Sequence, residues 1–204
     1  MIVIVDYGLG NLRSIEKAFT RMNCEVLISA KKEDVLKASK LILPGVGNFK
    51  QGMENLKMRD LLKPLHEAVI KKGIPILGIC LGMQLLANSS AEGNCPGLGW
   101  IDTAVVKFGF SIDPKLKVPH IGWNSVKRNI DEKLFDQIAQ DAEFYFVHSY
   151  CVMHKGNAAS FGTTFYGSEF VSYFQKENIY GVQFHPEKSH KAGLALIMNF
   201  IQKT

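Results

Sequence analysis

Cysteine is sparse in this chain. Of 204 residues only Cys24, Cys80, Cys95 and Cys151 carry sulfhydryls, and none forms a Cys-x-x-Cys pair. Zinc sites and disulfide frameworks need paired or dense cysteines, so both are disfavoured and a reducing compartment fits. No apolar run approaches the roughly 20 residues that span a bilayer. The apolar opening, 2–5, is cut by Asp6 and lacks a basic leader and a small-residue cleavage site, so no signal peptide is expected. The net charge is +5, yet its lysines are scattered in pairs such as Lys31-Lys32 and Lys71-Lys72, with no arginine-rich stripe. That pattern reads as solvated helix surface rather than a nucleic-acid face. There is also no linker, repeat or low-complexity segment. The expectation is one cytoplasmic domain over 1–204, with neither metal nor cofactor and no membrane or nucleic-acid partner.

What is present is strand alternating with helix. Apolar runs at 2–6, 25–28, 41–43 and 74–79 read as strands. Between them, Leu12, Ile15, Phe19 and Met22 recur at helical spacing behind Asn11, a candidate N-cap. Leu61, Leu62, Leu65, Ala68 and Val69 mark a second helix, with Pro64 tolerated only in its first turn. This order predicts a doubly wound α/β fold with a mostly parallel central sheet and flanking helices. Further strands are predicted at 103–108, 118–126, 143–153, 158–164, 170–175 and 180–184, forming an antiparallel extension, before a closing helix at 189–202.

The richest stretch is Gly78-Ile79-Cys80-Leu81-Gly82, between an apolar strand and a helix-like run at 83–87. A nucleophile between glycines at a strand-to-helix junction is a nucleophile elbow, here with Cys in place of Ser. Helix N-terminal N–H groups stabilise a thiolate, and the N–H of Leu81 is the expected oxyanion donor. Downstream, Gly181-Val182-Gln183-Phe184-His185-Pro186-Glu187 supplies a base and a carboxylate. Pro186 biases His185 toward extended backbone, so His185 and Glu187 should point to one side, as base and orienting acid for Cys80. Gln84 lies one helical turn past Cys80, where it is either a substrate contact or a solvated side chain. Pro44-Gly45-Val46-Gly47 sits at another strand end on the same rim, and by itself reads as a turn. His120 and His148 read as satisfied core or edge histidines.

Together these elements resemble the class I, triad-type glutamine amidotransferases. Asp6-Tyr7-Gly8-Leu9-Gly10-Asn11-Leu12, Pro119-His120-Ile121-Gly122-Trp123-Asn124, Tyr145-Phe146-Val147-His148-Ser149-Tyr150 and His185-Pro186-Glu187-Lys188-Ser189 narrow the likeness. They are similar to the glutaminase subunit of imidazole glycerol phosphate synthase. The resemblance implies a flavodoxin-like fold and glutamine hydrolysis through a Cys80 thioester. It implies that the Gly45–Gly47 loop supplies a second oxyanion donor, the N–H of Val46, and is set for work only once a partner and its ligand bind. It also implies glutamine contacts from Gly45, Gly47, Gln84, Glu92, Ser149 and Tyr150. The implied partner is a (β/α)8-barrel cyclase subunit in a heterodimer, met through Asn11, Trp123, Tyr145 and Lys188. Ammonia would pass to it for imidazole glycerol phosphate and aminoimidazole carboxamide ribotide synthesis in histidine biosynthesis. Asn48, Cys151 and the 100–102 segment look individual to this chain. The alternatives are the glutaminase of another synthase (aminodeoxychorismate, anthranilate or pyridoxal phosphate), a cysteine peptidase on the same sheet, and a binding scaffold with a dead site.

Overall fold

The computed structural model describes residues 1–109, 116–129, 131–154 and 160–204. Its N-terminal part alternates β1 (Ile2–Val5), α1 (Leu12–Thr20), β2 (Val26–Ser29), α2 (Lys32–Lys37), β3 (Lys40–Leu43), α3 (Phe49–Met58), α4 (Leu62–His66), β4 (Ile76–Ile79) and α5 (Leu81–Leu85). β1 pairs in parallel with β2 and β3, and β3 with β4. The chain continues through β5 (Ala87–Ser90), β6 (Cys95–Pro96), β7 (Ile101–Lys107), β8 (His120–Ser125), β9 (Glu143–His148), β10 (Tyr150–His154), β11 (Ser160–Tyr166), β12 (Ser168–Lys176), β13 (Ile179–Val182) and α6 (His190–Lys203). The main sheet runs β2-β1-β3-β4-β13-β12-β10-β7-β5-β6, with β11 paired to β12 off that path. β8 and β9 form a separate antiparallel pair.

The parallel strands are apolar on both faces because each face is covered. Val3 and Val5 of β1 join Leu41 and Leu43 of β3 in one core, while Ile2 and Ile4 join Ile42 in the other. This is the period-two alternation of a strand buried on both sides. Each such side chain contributes on the order of 1.5–3 kcal/mol of burial. For the site, the decisive pairing is the last. β13 returns from the antiparallel side to lie parallel to β4, with Gly181 opposite Gly78 and Val182 opposite Ile79. It brings the 183–187 segment beside the elbow.

Several predicted boundaries shift. The single strand expected over 143–153 is two strands, β9 and β10, because the backbone leaves the small sheet at Ser149 and enters the large one. The helix after the elbow stops at Leu85, and Ala87 opens β5. α4 opens with Pro64 in its first turn and continues as a π turn, Glu67–Lys71. Asn11 stands at the N-cap of α1 but makes no side-chain cap bond. α3 went unseen in the sequence because one of its three buried positions, Phe49, Gly52 and Leu56, is a glycine. Asn48 caps it, accepting from the Gln51 N–H at 3.1 Å. Ala158 and Ala159, expected in the next strand, lie outside the described residues. No helix among the described residues is long and apolar enough to cross a membrane.

Candidate active site

Cys80 sits at φ 53°, ψ −108°, a positive φ that non-glycine residues rarely adopt. Such strain costs on the order of 1–3 kcal/mol and persists only where surroundings impose it. Here the Cys80 N–H still donates to the Val182 carbonyl at 2.8 Å, so the residue belongs to the sheet until the chain turns. The neighbouring backbones are too close for side chains. A Cβ on Gly78 would stand 2.8 Å from the Gly82 carbonyl, and one on Gly82 would strike the Leu43 carbonyl. A Cβ on Gly45 would come within 2.5 Å of the Gly82 nitrogen. The Gly45–Gly47 loop therefore packs backbone-to-backbone against the start of α5. The buried Tyr7 hydroxyl holds its base, donating to the Pro44 carbonyl at 2.5 Å. Because α5 has five residues, support for a thiolate comes from its first unpaired N–H groups more than from a long dipole.

The His185 Nδ1 lies 2.8 Å from the Glu187 Oε1, with both side chains almost wholly buried. The carboxylate only accepts, so Nδ1 carries a proton in either charge state of the ring. The route differs from the expected one. His185 is extended, but Pro186–Lys188 forms a 3-10 turn that swings Glu187 back to the ring. Ser189 clips this corner to β9. Its hydroxyl donates to the His185 carbonyl at 2.6 Å and accepts from the Tyr145 N–H at 2.9 Å, while the His185 N–H donates to the Tyr145 carbonyl at 2.9 Å. Burial pulls the imidazole's pKa down, but the Cys80 thiolate and the Glu187 carboxylate outweigh it and push it up to about 10. Thiol and ring thus lie within reach of one another. His185 Nε2 and Glu187 Oε2 are buried without partners, and the thiol leans toward the Val147 carbonyl at 3.9 Å. Orphaned buried polar atoms of this kind are characteristic of functional sites.

A pocket of about 300 Å³ opens above the sulfur. Its walls bring together Cys80, Leu81, Gln84, Glu92, Val46, Gly47, Ser149 and Tyr150. Gly45 lies against the elbow rather than on the pocket wall. Gln84 is buried, not solvated, and its amide nitrogen donates to the Tyr150 carbonyl and to Gln183 Oε1, each at 2.9 Å. Its side chain therefore has only the acceptor oxygen left for a ligand. Glu92 accepts from the Phe49 N–H at 2.7 Å, which ties this pocket residue to the start of α3. A larger cleft of about 640 Å³, lined by Lys32, Leu36, Lys57 and Lys63 among others, carries no cysteine, serine or histidine.

On the far side of the pocket the sequence reading named Ser149 and Tyr150 but missed the histidine pair behind them. His120 Nδ1 lies 3.1 Å from His148 Nε2, and His148 Nδ1 lies 2.8 Å from the Tyr150 carbonyl. A carbonyl cannot donate, so protons run from His120 to His148 to Tyr150, and both rings are neutral. Burial lowers their pKa values to about 4 for His120 and about 3 for His148. They are core histidines as expected, but His148 also lines the pocket. Their only sequence signal was an imidazole at each of two positions that β8 and β9 place directly opposite one another.

Three of the four expected interface residues gather on one surface. Trp123, 42% exposed, stacks on His190 with ring centres 4.8 Å apart and meets Tyr145 edge-on at 5.7 Å. Lys188 Nζ stands 5.7 Å over the Tyr145 ring. Asn11 lies apart from them, at the start of α1.

Comparison with known proteins gives the family. The family profile described as "Glutamine amidotransferase class-I" matches residues 3–204. Imidazole glycerol phosphate synthase subunit HisH 2 of Methanococcus maripaludis is 50% identical over 203 residues, covering 100% of both chains. The Pseudomonas aeruginosa protein of the same name is 43% identical over 99% of each chain. Among solved structures, a glutamine amidotransferase superposes with a TM-score of 0.76 at 16% identity, over 98% of this chain and 96% of its own. The PurLQS structure from Thermotoga maritima gives 0.71 at 16% identity, over 98% and 96%.

Proposed function

The chain belongs to the class I glutamine amidotransferases, and from that premise we propose that it is the glutaminase subunit of an imidazole glycerol phosphate synthase. The observation that carries the reading is the buried His185–Glu187 pair beside a cysteine at a strained elbow, under a pocket of amino-acid dimensions.

In this reading the Cys80 sulfur attacks the side-chain amide carbon of glutamine. His185 Nε2 takes the thiol proton. The carbonyl oxygen becomes an oxyanion held by the N–H groups of Leu81 and Val46. As the carbon–nitrogen bond breaks, His185 returns the proton to the leaving nitrogen and ammonia departs, leaving a thioester on Cys80. Water, deprotonated by His185, hydrolyses it to glutamate. Glu187 keeps the proton on Nδ1 and balances the imidazolium throughout. Gln84, Glu92, Ser149 and Tyr150 bind the substrate's amino-acid end.

Ammonia released to neutral water is mostly protonated and no longer nucleophilic, so it must leave through an enclosed route. We assign the Trp123, Tyr145 and Lys188 surface, with Asn11, to docking of a (β/α)8-barrel cyclase that consumes it. The test is co-purification with that cyclase, followed by glutamate release with and without the cyclase's ligand. A stable heterodimer whose glutaminase rate rises with ligand, and vanishes in Cys80→Ala, is the expected result. Glutamate release that survives Cys80→Ala, or a chain that ignores the cyclase and serves another synthase, would overturn the reading.

A further inference from the structure

Among the described residues, one buried side chain besides the triad points a polar atom at the nucleophile: the Gln183 Nε2 lies 3.6 Å from the Cys80 sulfur. Gln183 is fully buried. It and His185 lie two positions apart in the short segment after β13, and both approach the sulfur, while Phe184 between them packs in the core.

The orientation of the amide is decided by its neighbours. The Tyr150 carbonyl can only accept, so the Gln84 group bonded to it at 2.9 Å is the NH₂ end. The other hydrogen of that NH₂ goes to Gln183 at 2.9 Å, which must therefore present its oxygen there. Only the NH₂ end of Gln183 remains to face Cys80. A backbone carbonyl thus fixes two side-chain amides in series, and the series ends in a donor aimed at sulfur. His148, donating to the same carbonyl at 2.8 Å, fills its second lone pair and stiffens the anchor.

We propose that Gln183 is a positioning residue that donates an N–H to the Cys80 sulfur, favours the thiolate and holds it for attack. Gln84 sets the direction of that donor. The proposal rests on the glutaminase reading for its role in turnover, though not for the hydrogen bond itself. A donor to sulfur favours the anion over the neutral thiol and the neutral thioester. It steadies the sulfur while His185 Nε2 is still unpaired.

The test uses the full chain and iodoacetamide, with alkylation at Cys80 followed by peptide mapping across pH. Gln183→Leu keeps the volume and removes the donor. Gln183→Glu keeps the acceptor toward Gln84 and turns a repulsive oxygen on the sulfur. The midpoint of the alkylation profile is expected to rise by about one pH unit in Gln183→Leu, and further in Gln183→Glu, with about a tenfold slower reaction at pH 7. Glutaminase kcat/KM, measured with the cyclase present, should fall by a similar factor at pH 7 and recover at alkaline pH. If Gln183→Leu does not fold, Gln84→Met, which frees the amide to rotate, should move the midpoint in the same direction by less. A pH-independent fall in rate with an unmoved midpoint would reduce Gln183 to packing and overturn the proposal. Loss of glutaminase activity in none of these variants nor in Cys80→Ala would instead sink the glutaminase reading, leaving the alkylation result to stand alone.

Discussion

The two walls of the pocket are built on different physics. The near wall, Val46–Gly47 and Cys80–Gln84, belongs to the parallel half of the sheet and is held by steric exclusion at its base. Backbones approach so closely that a Cβ on Gly45, Gly78 or Gly82 does not fit. The far wall, Val147–Tyr150, lies where the chain crosses from the small sheet to the large one, and is held by a buried polar chain through His120, His148, Tyr150 and Gln84. The near wall leaves no room for a side chain at Gly45 or Gly82, whereas the far wall depends on each donor in its polar chain. The proposed nucleophile and oxyanion donors lie at the near wall, and the groups that orient Gln84 at the far one.

This contrast breaks most visibly in rate. Cys80→Ala should remove glutaminase turnover by a factor on the order of 10⁴–10⁶ while leaving the melting temperature in place, measured as glutamate release. Glu187→Gln should cost about 10⁴, since the wrong tautomer then faces the thiol. Both would mark chemistry that depends on the near wall alone. Gly45→Ala should cost about 10²–10³ in kcat, because its new Cβ, within 2.5 Å of the Gly82 nitrogen, displaces the proposed oxyanion loop. A Gly45→Ala enzyme at full rate would erase the steric character assigned to that wall.

The far wall should show itself in pH dependence. His120 and His148 release their protons on folding, being held to about 4 and about 3 against 6.5 in the unfolded chain. The fold binds fewer protons than the unfolded chain in that window. Their contribution is complete above pH 6.5 and is lost as pH falls toward 4 and then 3. His120→Phe, which suits the stack between Phe146 and Tyr166, should flatten this acid limb in urea unfolding. It should also lower stability at neutral pH by about 1 kcal/mol for the unpaired His148 nitrogen. The imidazole beside the nucleophile has the opposite sign. His185, pushed up to about 10, contributes stability that is full below pH 6.5 and lost as pH rises through 10. Cys80→Ala removes one of the charges that raise it, so the NMR titration midpoint of His185 should fall. An unchanged midpoint would mean that the carboxylate alone governs the ring.

Legibility in the sequence followed the same division. The elbow and the His-Pro-Glu element were readable because each is a local steric or covalent constraint written in adjacent residues, whereas the Gly45–Gly47 loop read only as a turn and took its role from the resemblance. The parallel strands were readable because both faces are buried and the apolar runs are unbroken. The break at Ser149 was not, because the 143–153 run is uniformly strand-like and only the presence of two sheets divides it. Gln84 could be placed on the face of Cys80, but its burial and its partners could not, since Tyr150 is 66 residues away and Gln183 is 99. Glu187 was assigned to the right partner through the wrong backbone, an extended one where Pro186 starts a turn.

By itself, then, the order of residues determined which atoms could do chemistry here. Glycines on either side of a cysteine admit a sharp turn that side chains would block, and a proline between histidine and glutamate keeps the two close in the chain. What the tertiary structure alone decided is how those atoms face one another. β13 had to settle against β4 before the imidazole and the Gln183 amide could converge on the sulfur. That register is chosen by the burial of whole strands on both faces of the sheet, a cooperative quantity that no short stretch of the chain contains.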